Sequence, residues 1–211
     1  MAILFYTASG SVPGWKVQLT LEHKQLPYEL KMLSHQDGDF KKPNYLAINP
    51  RGTVPAITDG DFVLWESSVI CEYLDEKWPE RPILPREPVA RARVKRIAAE
   101  AAFKLHESVI QFGDAIFGGK PGEPNLEIYG KAHEKCTTSV GYLDGDLRGP
   151  FFGDESPSLA DFTAYPILAM ARRLATRFKL QPVELGPKLT EWMKRIEALP
   201  YYDKTYPPHW R

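Results

Sequence analysis

The sequence predicts a protein of α/β plus all-α class: a small mixed α/β domain over residues 1–79, a proline-rich linker over 80–88 and an all-helical bundle over 89–211. Three observations carry this prediction. Strand-like runs are confined to the first 80 or so residues. Pro79, Pro82, Pro85 and Pro88 then fall close together, and a helix interior does not carry proline, so the chain breaks there. Beyond the break, apolar residues recur at steps of three and four, the spacing of one helix face.

The elements follow in order. Ala2 to Tyr6 is a continuous apolar run and reads as a buried strand. Trp15 to Leu21 is ambiguous: Trp15, Val17, Leu19 and Leu21 alternate as in a strand, yet Lys16, Gln18, Leu19 and Glu22 are good helix formers and Pro13 suits an entry turn. Tyr28-Glu29-Leu30-Lys31-Met32 alternates as a half-buried strand does. Ser34 to about Thr53 reads as a helix-free stretch. Val54–Ile57 and Phe62–Trp65 are strand-like, and Asp59-Gly60 between them is a hairpin-turn signal. Ser67 opens a helix carrying Val69, Ile70, Tyr73 and Leu74.

In the second part, Val94, Ile97, Ala101, Leu105, Val109, Phe112 and Ile116 mark a long amphipathic helix, ended by Gly118, Gly119, Pro121 and Gly122. Leu126, Tyr129, His133, Cys136, Val140, Leu143 and Leu147 mark a second. Ser158-Leu159-Ala160-Asp161 is an acidic capping box at the start of a third, which Pro166 should kink. Pro187 opens a fourth, with Leu189, Trp192, Met193, Ile196 and Leu199 on one face, and Pro200 stops it. Tyr201 to Arg211 reads as ordered coil or a fraying end.

Composition narrows the function classes. Over 211 residues, 27 Lys+Arg balance 27 Asp+Glu, so nothing favours a nucleic-acid binder working through bulk charge. A hydrophobic fraction of 43% supports a packed core. No run of apolar residues is long enough to span a membrane, and the N-terminus lacks a signal-peptide pattern. Cys71 and Cys136 form neither a CxxC motif nor a disulfide framework, which fits a reducing, cytoplasmic compartment with both thiols buried. No metal is expected, because His23, His35, His106, His133 and His209 are scattered without ligand spacing. His133 reads as a satisfied core histidine, and Arg91, Arg93, Lys95 and Arg96 as a solvated helix face.

Several motifs in series resemble one family. Ile3-Leu4-Phe5-Tyr6, Ser11 and Trp15-Lys16-Val17-Gln18-Leu19-Thr20-Leu21-Glu22 look like the start of a cytosolic glutathione transferase. So do Asn49-Pro50-Arg51-Gly52-Thr53-Val54-Pro55-Ala56-Ile57, Leu64-Trp65-Glu66-Ser67-Ser68-Val69-Ile70 and, further on, Ser158-Leu159-Ala160-Asp161 and Tyr165-Pro166. The resemblance covers nearly the whole chain. It implies a thioredoxin-like N-terminal domain with a mixed sheet, a helical C-terminal domain, and helix rather than strand from Trp15 to Lys24. It also implies glutathione as co-substrate, a hydrophobic electrophile as second substrate, and a homodimer.

The resemblance implies site residues too. A free cysteine thiol titrates near pH 8.5, so an enzyme that uses glutathione as thiolate needs a hydrogen-bond donor and a positive local field at the sulfur. Ser11, between the first strand and the first helix, matches the catalytic serine of theta-like and zeta-like members, with Ser9 the alternative donor. The Thr53-Val54-Pro55 segment matches the family's cis-proline turn, where the Val54 backbone would pair with the glutathione cysteine. Glu66 and Ser67 suit the γ-glutamyl ammonium and carboxylate. Many relatives carry a histidine nine positions before the Asn-Pro pair for the glycine carboxylate; here that position is Phe40, and Lys41 or Lys42 would supply the cation. Val12-Pro13 replaces the Ser-Cys of the zeta signature, which argues against a maleylacetoacetate-type isomerase. Pro13, Phe103, His106, Phe112 and Tyr165 would line the second-substrate site, between the Ser11 loop and the first long helix of the second domain. The other readings are a glutathione-dependent lyase or disulfide reductase, and a noncatalytic interaction module.

Overall fold

In the computed structural model, residues 3–120 and 122–210 are described; Ala2 of the first strand-like run, Pro121 of the helix-ending cluster, Met1 and Arg211 lie outside them. The chain divides into two compact units, Met1–Ile83 with Pro200–Arg211, and Leu84–Leu199. Residues 200–211 therefore belong with the first unit, whereas the sequence grouped them with the helical domain.

The first unit is built on a four-stranded mixed sheet of order β2-β1-β3-β4. Strand β1 (Ile3–Thr7) pairs in parallel with β2 (Tyr28–Met32) and antiparallel with β3 (Ala56–Asp59), and β4 (Phe62–Trp65) closes the other edge. β1 and β2 are parallel, so a crossover must join them, and α1 (Val12–His23) provides it. Trp15 to Lys24 is thus helical up to its cap, as the family pattern implied. The α1 helix buries Val12, Trp15, Lys16, Val17, Leu19, Thr20 and Leu21. It is apolar on most sides, so alternation and helical spacing both matched it. Phe5, Leu19, Leu21, Ile57, Ile70 and Leu74 form the centre of this core, the last two from α3 (Ser67–Lys77).

Four expectations for this unit need correction. Pairing of β3 begins at Ala56, not Val54, because Pro55 has no N–H to offer a ladder. Asp59 pairs with Phe62, so the hairpin turn is Gly60-Asp61, with Gly60 at φ +62°. Strand β2 lies at the sheet edge, and its apolar face is not buried as that of a half-buried strand would be: Leu30 and Met32 are 39% and 43% exposed. The stretch 34–53 is not helix-free: it holds a 3₁₀ turn at Asp39–Lys41 and the short α2 (Pro43–Leu46), opened by Pro43 at its first position. The C-terminal segment is also folded, as α9 (Tyr202–Thr205) and a 3₁₀ turn at Pro208–Trp210. It is held by α1: Trp15 Nε1 donates to Thr205 Oγ1 at 2.9 Å, and the Trp15 ring meets Tyr206 and Trp210 edge-on.

The second unit is helical: α4 (Pro88–Glu100), a π-helical turn (Ala101–Leu105), α5 (His106–Phe117), α6 (Leu126–Asp146), α7 (Leu159–Phe178) and α8 (Pro187–Glu197). The first long stripe runs through α4, the π turn and α5, and all seven of its residues are buried. Its three successive steps of four, Ile97 to Val109, drift off one face of a regular α-helix; the π turn lies within that run and takes up the extra length. Helix α7 continues through Pro166 as one element. The α6 stripe is buried from Tyr129 to Leu147 except at His133, which is half-buried with Nε2 on the Pro182 carbonyl at 3.0 Å, while Leu126 is exposed. Both cysteines are buried and free. The basic cluster is more than a solvated face: Arg96 pairs with Glu100 and Asp146, and Arg93 donates to the Asp146 carbonyl.

Candidate active site

The end of β1 and the start of α1 place two serines side by side. After Thr7, Gly10 turns the chain at φ +77°, and the Ser11 N–H closes the turn on the Ala8 carbonyl at 3.0 Å. Ser11 is the N-cap of α1, its Oγ accepting from the Gly14 N–H at 3.1 Å. Gly14 is required for this approach, since a Cβ there would lie 2.0 Å from Thr7 Oγ1 and 3.1 Å from Ser11 Oγ. The Ser11 oxygen is thus engaged as an acceptor while its hydroxyl proton remains to be donated, at the positive end of a 12-residue helix. Ser9, Ser11, Trp15 and Gln18 line a cavity of about 60 Å³, together with the exposed apolar Leu30 and Met32 of β2 and residues 204–208. Pro13 lies in the first turn of α1.

A second loop is stapled from within. Asn49 is fully buried; its Nδ2 donates to the Thr53 carbonyl at 2.7 Å and its Oδ1 accepts from the Arg51 N–H at 3.0 Å. Tyr45 OH donates to the same Thr53 carbonyl at 2.5 Å. Gly52 at φ +61° lets the loop pass the Phe40 carbonyl, which a Cβ would approach to 2.9 Å. The loop delivers Val54-Pro55, joined by a cis bond, just before β3 pairing starts, so the Val54 backbone precedes the ladder. Glu66 follows β4 at φ +72°, a left-handed position that costs a non-glycine residue about 1–3 kcal/mol and is characteristic of functional sites. Ser67 is the first residue of α3, and no side chain caps that helix start. Beside it, the buried Lys16 ammonium donates to Ser68 Oγ at 2.9 Å. Burial pulls the Lys16 pKa below its ordinary value, opposed by the charges of Cys71 and Glu66.

The two candidate lysines separate. Lys42 is tied to Asp39 Oδ1 at 2.5 Å, whereas Lys41 is exposed and in no ion pair among the described residues. Phe40 is buried, with the His35 ring stacked on it at 4.0 Å and Tyr45 against its edge.

In the second unit the expected second-substrate residues divide. Phe103, on the π turn, is 76% exposed, and His106 is half-buried. Phe112 and Tyr165 are core residues instead: Phe112 packs on Tyr129, and Tyr165 packs on Trp192 with its OH on Glu197 Oε1 at 3.1 Å. Phe112 lies on the face whose apolar spacing was itself the core signal. Sequence reasoning assigned no role to Asn49 and Tyr45, the staples of the Val54 loop, or to Lys16 and His209. Asn49 and Lys16 stood in the family-like motifs; nothing local marked Tyr45 or His209. Among the described residues no cluster of three or more His, Cys, Asp or Glu could hold a metal, and no helix is long and apolar enough to cross a membrane.

A four-stranded mixed sheet carrying a hydroxyl at the α1 start, a cis-proline loop and an uncapped α3 start defines the thioredoxin-like class of domain. Comparisons narrow the class. The model of the glutathione S-transferase N-terminal domain matches residues 11–77 and that of the C-terminal domain residues 100–200. A maleylacetoacetate isomerase from Pseudomonas aeruginosa is 32% identical over 84% of this chain and 85% of its own length. Glutathione S-transferase A from Pleuronectes platessa is 29% identical over 96% of this chain and 90% of its own. The crystal structure of a glutathione S-transferase from the Antarctic clam Laternula elliptica superposes with a TM-score of 0.84, at 29% identity, over all of this chain and 94% of that one. The chain belongs to the cytosolic glutathione S-transferase family. It is a glutathione-conjugating enzyme with glutathione as co-substrate.

Proposed function

We propose that Ser11 activates glutathione by donating its hydroxyl proton to the sulfur, so that the thiolate is held at the start of α1 while the thiol proton leaves to solvent. The observation that carries this reading is the Ser11 cap: its oxygen accepts from the Gly14 N–H, so the oxygen is held in place while its O–H can still be donated. A hydrogen bond to a charged acceptor is worth about 1.5–3 kcal/mol, and one pKa unit is about 1.4 kcal/mol, so this bond alone lowers the thiol pKa by about one to two units. The helix field adds to it. The Val54 backbone pairs with the glutathione cysteine as an added strand would, beside Thr53 and Pro55. The uncapped N–H groups at Ser67 and its hydroxyl take the γ-glutamyl carboxylate, and Glu66, turned out by its positive φ, takes the ammonium. Lys41, rather than the engaged Lys42, meets the glycine carboxylate.

The thiolate then attacks a soft, hydrophobic electrophile, by addition or by displacing a leaving group that departs with the bonding pair. The subtype is bacterial-type, theta/nu-like and Ser-dependent, and the working form is a cytoplasmic homodimer. Ser11→Ala tests the reading: turnover of glutathione with a nitroaryl halide should fall at least tenfold at neutral pH with the melting temperature little changed. Unchanged turnover would remove Ser11 from the role, and a sedimenting monomer at micromolar concentration would remove the dimer.

A further inference from the structure

The cavity beside Ser11 has a second hydroxyl, and the far end of the chain holds it. Ser9 Oγ lies 2.5 Å from His209 Nδ1, and His209 Nε2 lies 3.0 Å from Trp210 Nε1. An indole N–H can only donate, so His209 Nε2 is the acceptor of that bond. A neutral imidazole has one N–H, which is then at Nδ1 and is donated to Ser9 Oγ. Ser9 stands as Ser11 does: its oxygen is occupied as an acceptor and its own proton is left for another partner. The two hydroxyls line the same cavity. Accepting a bond also polarises the hydroxyl and strengthens the bond it donates.

Two further features show that His209 is built into this position. Gly10, between the two serines, is at φ +77°, and a Cβ there would lie 2.6 Å from His209 Cε1. The chain therefore makes room for the imidazole where it turns toward Ser11. Trp210, which fixes the tautomer, is itself buried and set edge-on to Trp15, one turn after the Ser11 cap. The 3₁₀ turn Pro208–Trp210 thus positions His209 against the Ser9–Ser11 loop through contacts made by α1.

We infer that Ser9 is a second hydrogen-bond donor to the glutathione sulfur and that His209 is its positioning residue, holding the Ser9 oxygen so that its proton faces the thiolate. This inference rests on the reading of Ser11 as the site of the sulfur, and its test separates the two. The full chain is titrated with glutathione across pH, and the midpoint of the bound-thiolate absorbance is read in wild type, Ser9→Ala, His209→Phe, Ser9→Ala/His209→Phe, His209→Asn and Ser11→Ala. His209→Phe keeps a ring in place without the donor, and His209→Asn restores an N–H near the Nδ1 position.

Ser9→Ala and His209→Phe should each raise the midpoint by about one unit, the worth of one hydrogen bond to a charged acceptor. The double variant should shift no further than either single one, because the residues act as one unit. His209→Asn should return most of the shift, which a role in packing alone would not produce. A wild-type midpoint in His209→Phe, additive shifts in the double variant, or failure of His209→Asn to recover would overturn the inference. If those results came with a raised midpoint in Ser11→Ala, the Ser11 reading would stand without it. A wild-type midpoint in Ser11→Ala would overturn the Ser11 reading instead.

Discussion

Asp161 accepts four hydrogen bonds inside the second unit, so removing its carboxylate gives a worked stability prediction. Its Oδ1 accepts from the Phe152 N–H at 3.0 Å and Trp192 Nε1 at 2.7 Å; its Oδ2 accepts from the Ser158 N–H at 2.8 Å and Ser158 Oγ at 2.7 Å. All four residues are at most 2% exposed. In Asp161→Ala the Ser158 hydroxyl can rotate to another acceptor, but two backbone N–H groups and one indole N–H are left unpaired. Each such group costs about 1–3 kcal/mol when buried. Some water entry to the vacated space keeps the sum toward its lower half, about 3–5 kcal/mol. For a chain of this size that lowers the melting temperature by about 6–20 °C. Ser158→Ala, which removes only the hydroxyl, should cost about 1 kcal/mol. Thermal melts followed by circular dichroism, with urea titration where unfolding is reversible, read both values. A loss below about 1 kcal/mol in Asp161→Ala would refute the reasoning, since three buried donors would then have found partners at no cost.

Three other outcomes follow from the first unit. Lys24 is fully buried, its Nζ donating to Asp75 Oδ1 and to the Glu80 and Arg81 carbonyls, so Asp75→Ala should cost about 3–5 kcal/mol in urea unfolding, and Lys24→Met/Asp75→Leu less than Asp75→Ala alone. Burial first, then the charges of Lys24 and Arg81, hold the His23 pKa at about 4, below its ordinary 6.5. The unfolded chain therefore binds more protons between these values, so stability should fall as the pH drops from about 6.5 toward 4, by about 3 kcal/mol in all, and His23→Gln should flatten that slope in melts taken across pH. Glu66→Gly should relieve the left-handed strain and stabilise the fold by about 1 kcal/mol or more, while raising the KM for glutathione by removing the partner proposed for its ammonium.

The sequence was legible where local pattern and packing agree. Tyr28–Met32 and the α8 face Leu189, Trp192, Met193 and Ile196 were set by period, Phe62–Trp65 by an apolar run after a turn signal, and the capping box by four adjacent residues. Trp15–Leu21 was not, because a helix buried on most sides has no polar stripe to fix its period. The role of Phe40 was hidden for another reason: His35 stacked on its ring is a contact of the folded loop, not of a motif. The C-terminal segment was misread because what orders it, Trp15, lies about 190 residues away. His209 beside Ser9 depends on the same long-range packing, whereas Ser11, Val54-Pro55 and Glu66-Ser67 stood in motifs of short range.

The central claim is that Ser11 holds glutathione as its thiolate at the start of α1. The most direct measurement is an ultraviolet difference titration of the protein with glutathione near neutral pH, in wild type and Ser11→Ala. A saturable thiolate band in wild type that weakens or vanishes in Ser11→Ala is the predicted result. A band of equal height in both proteins, or saturable binding with no band in wild type, would contradict it.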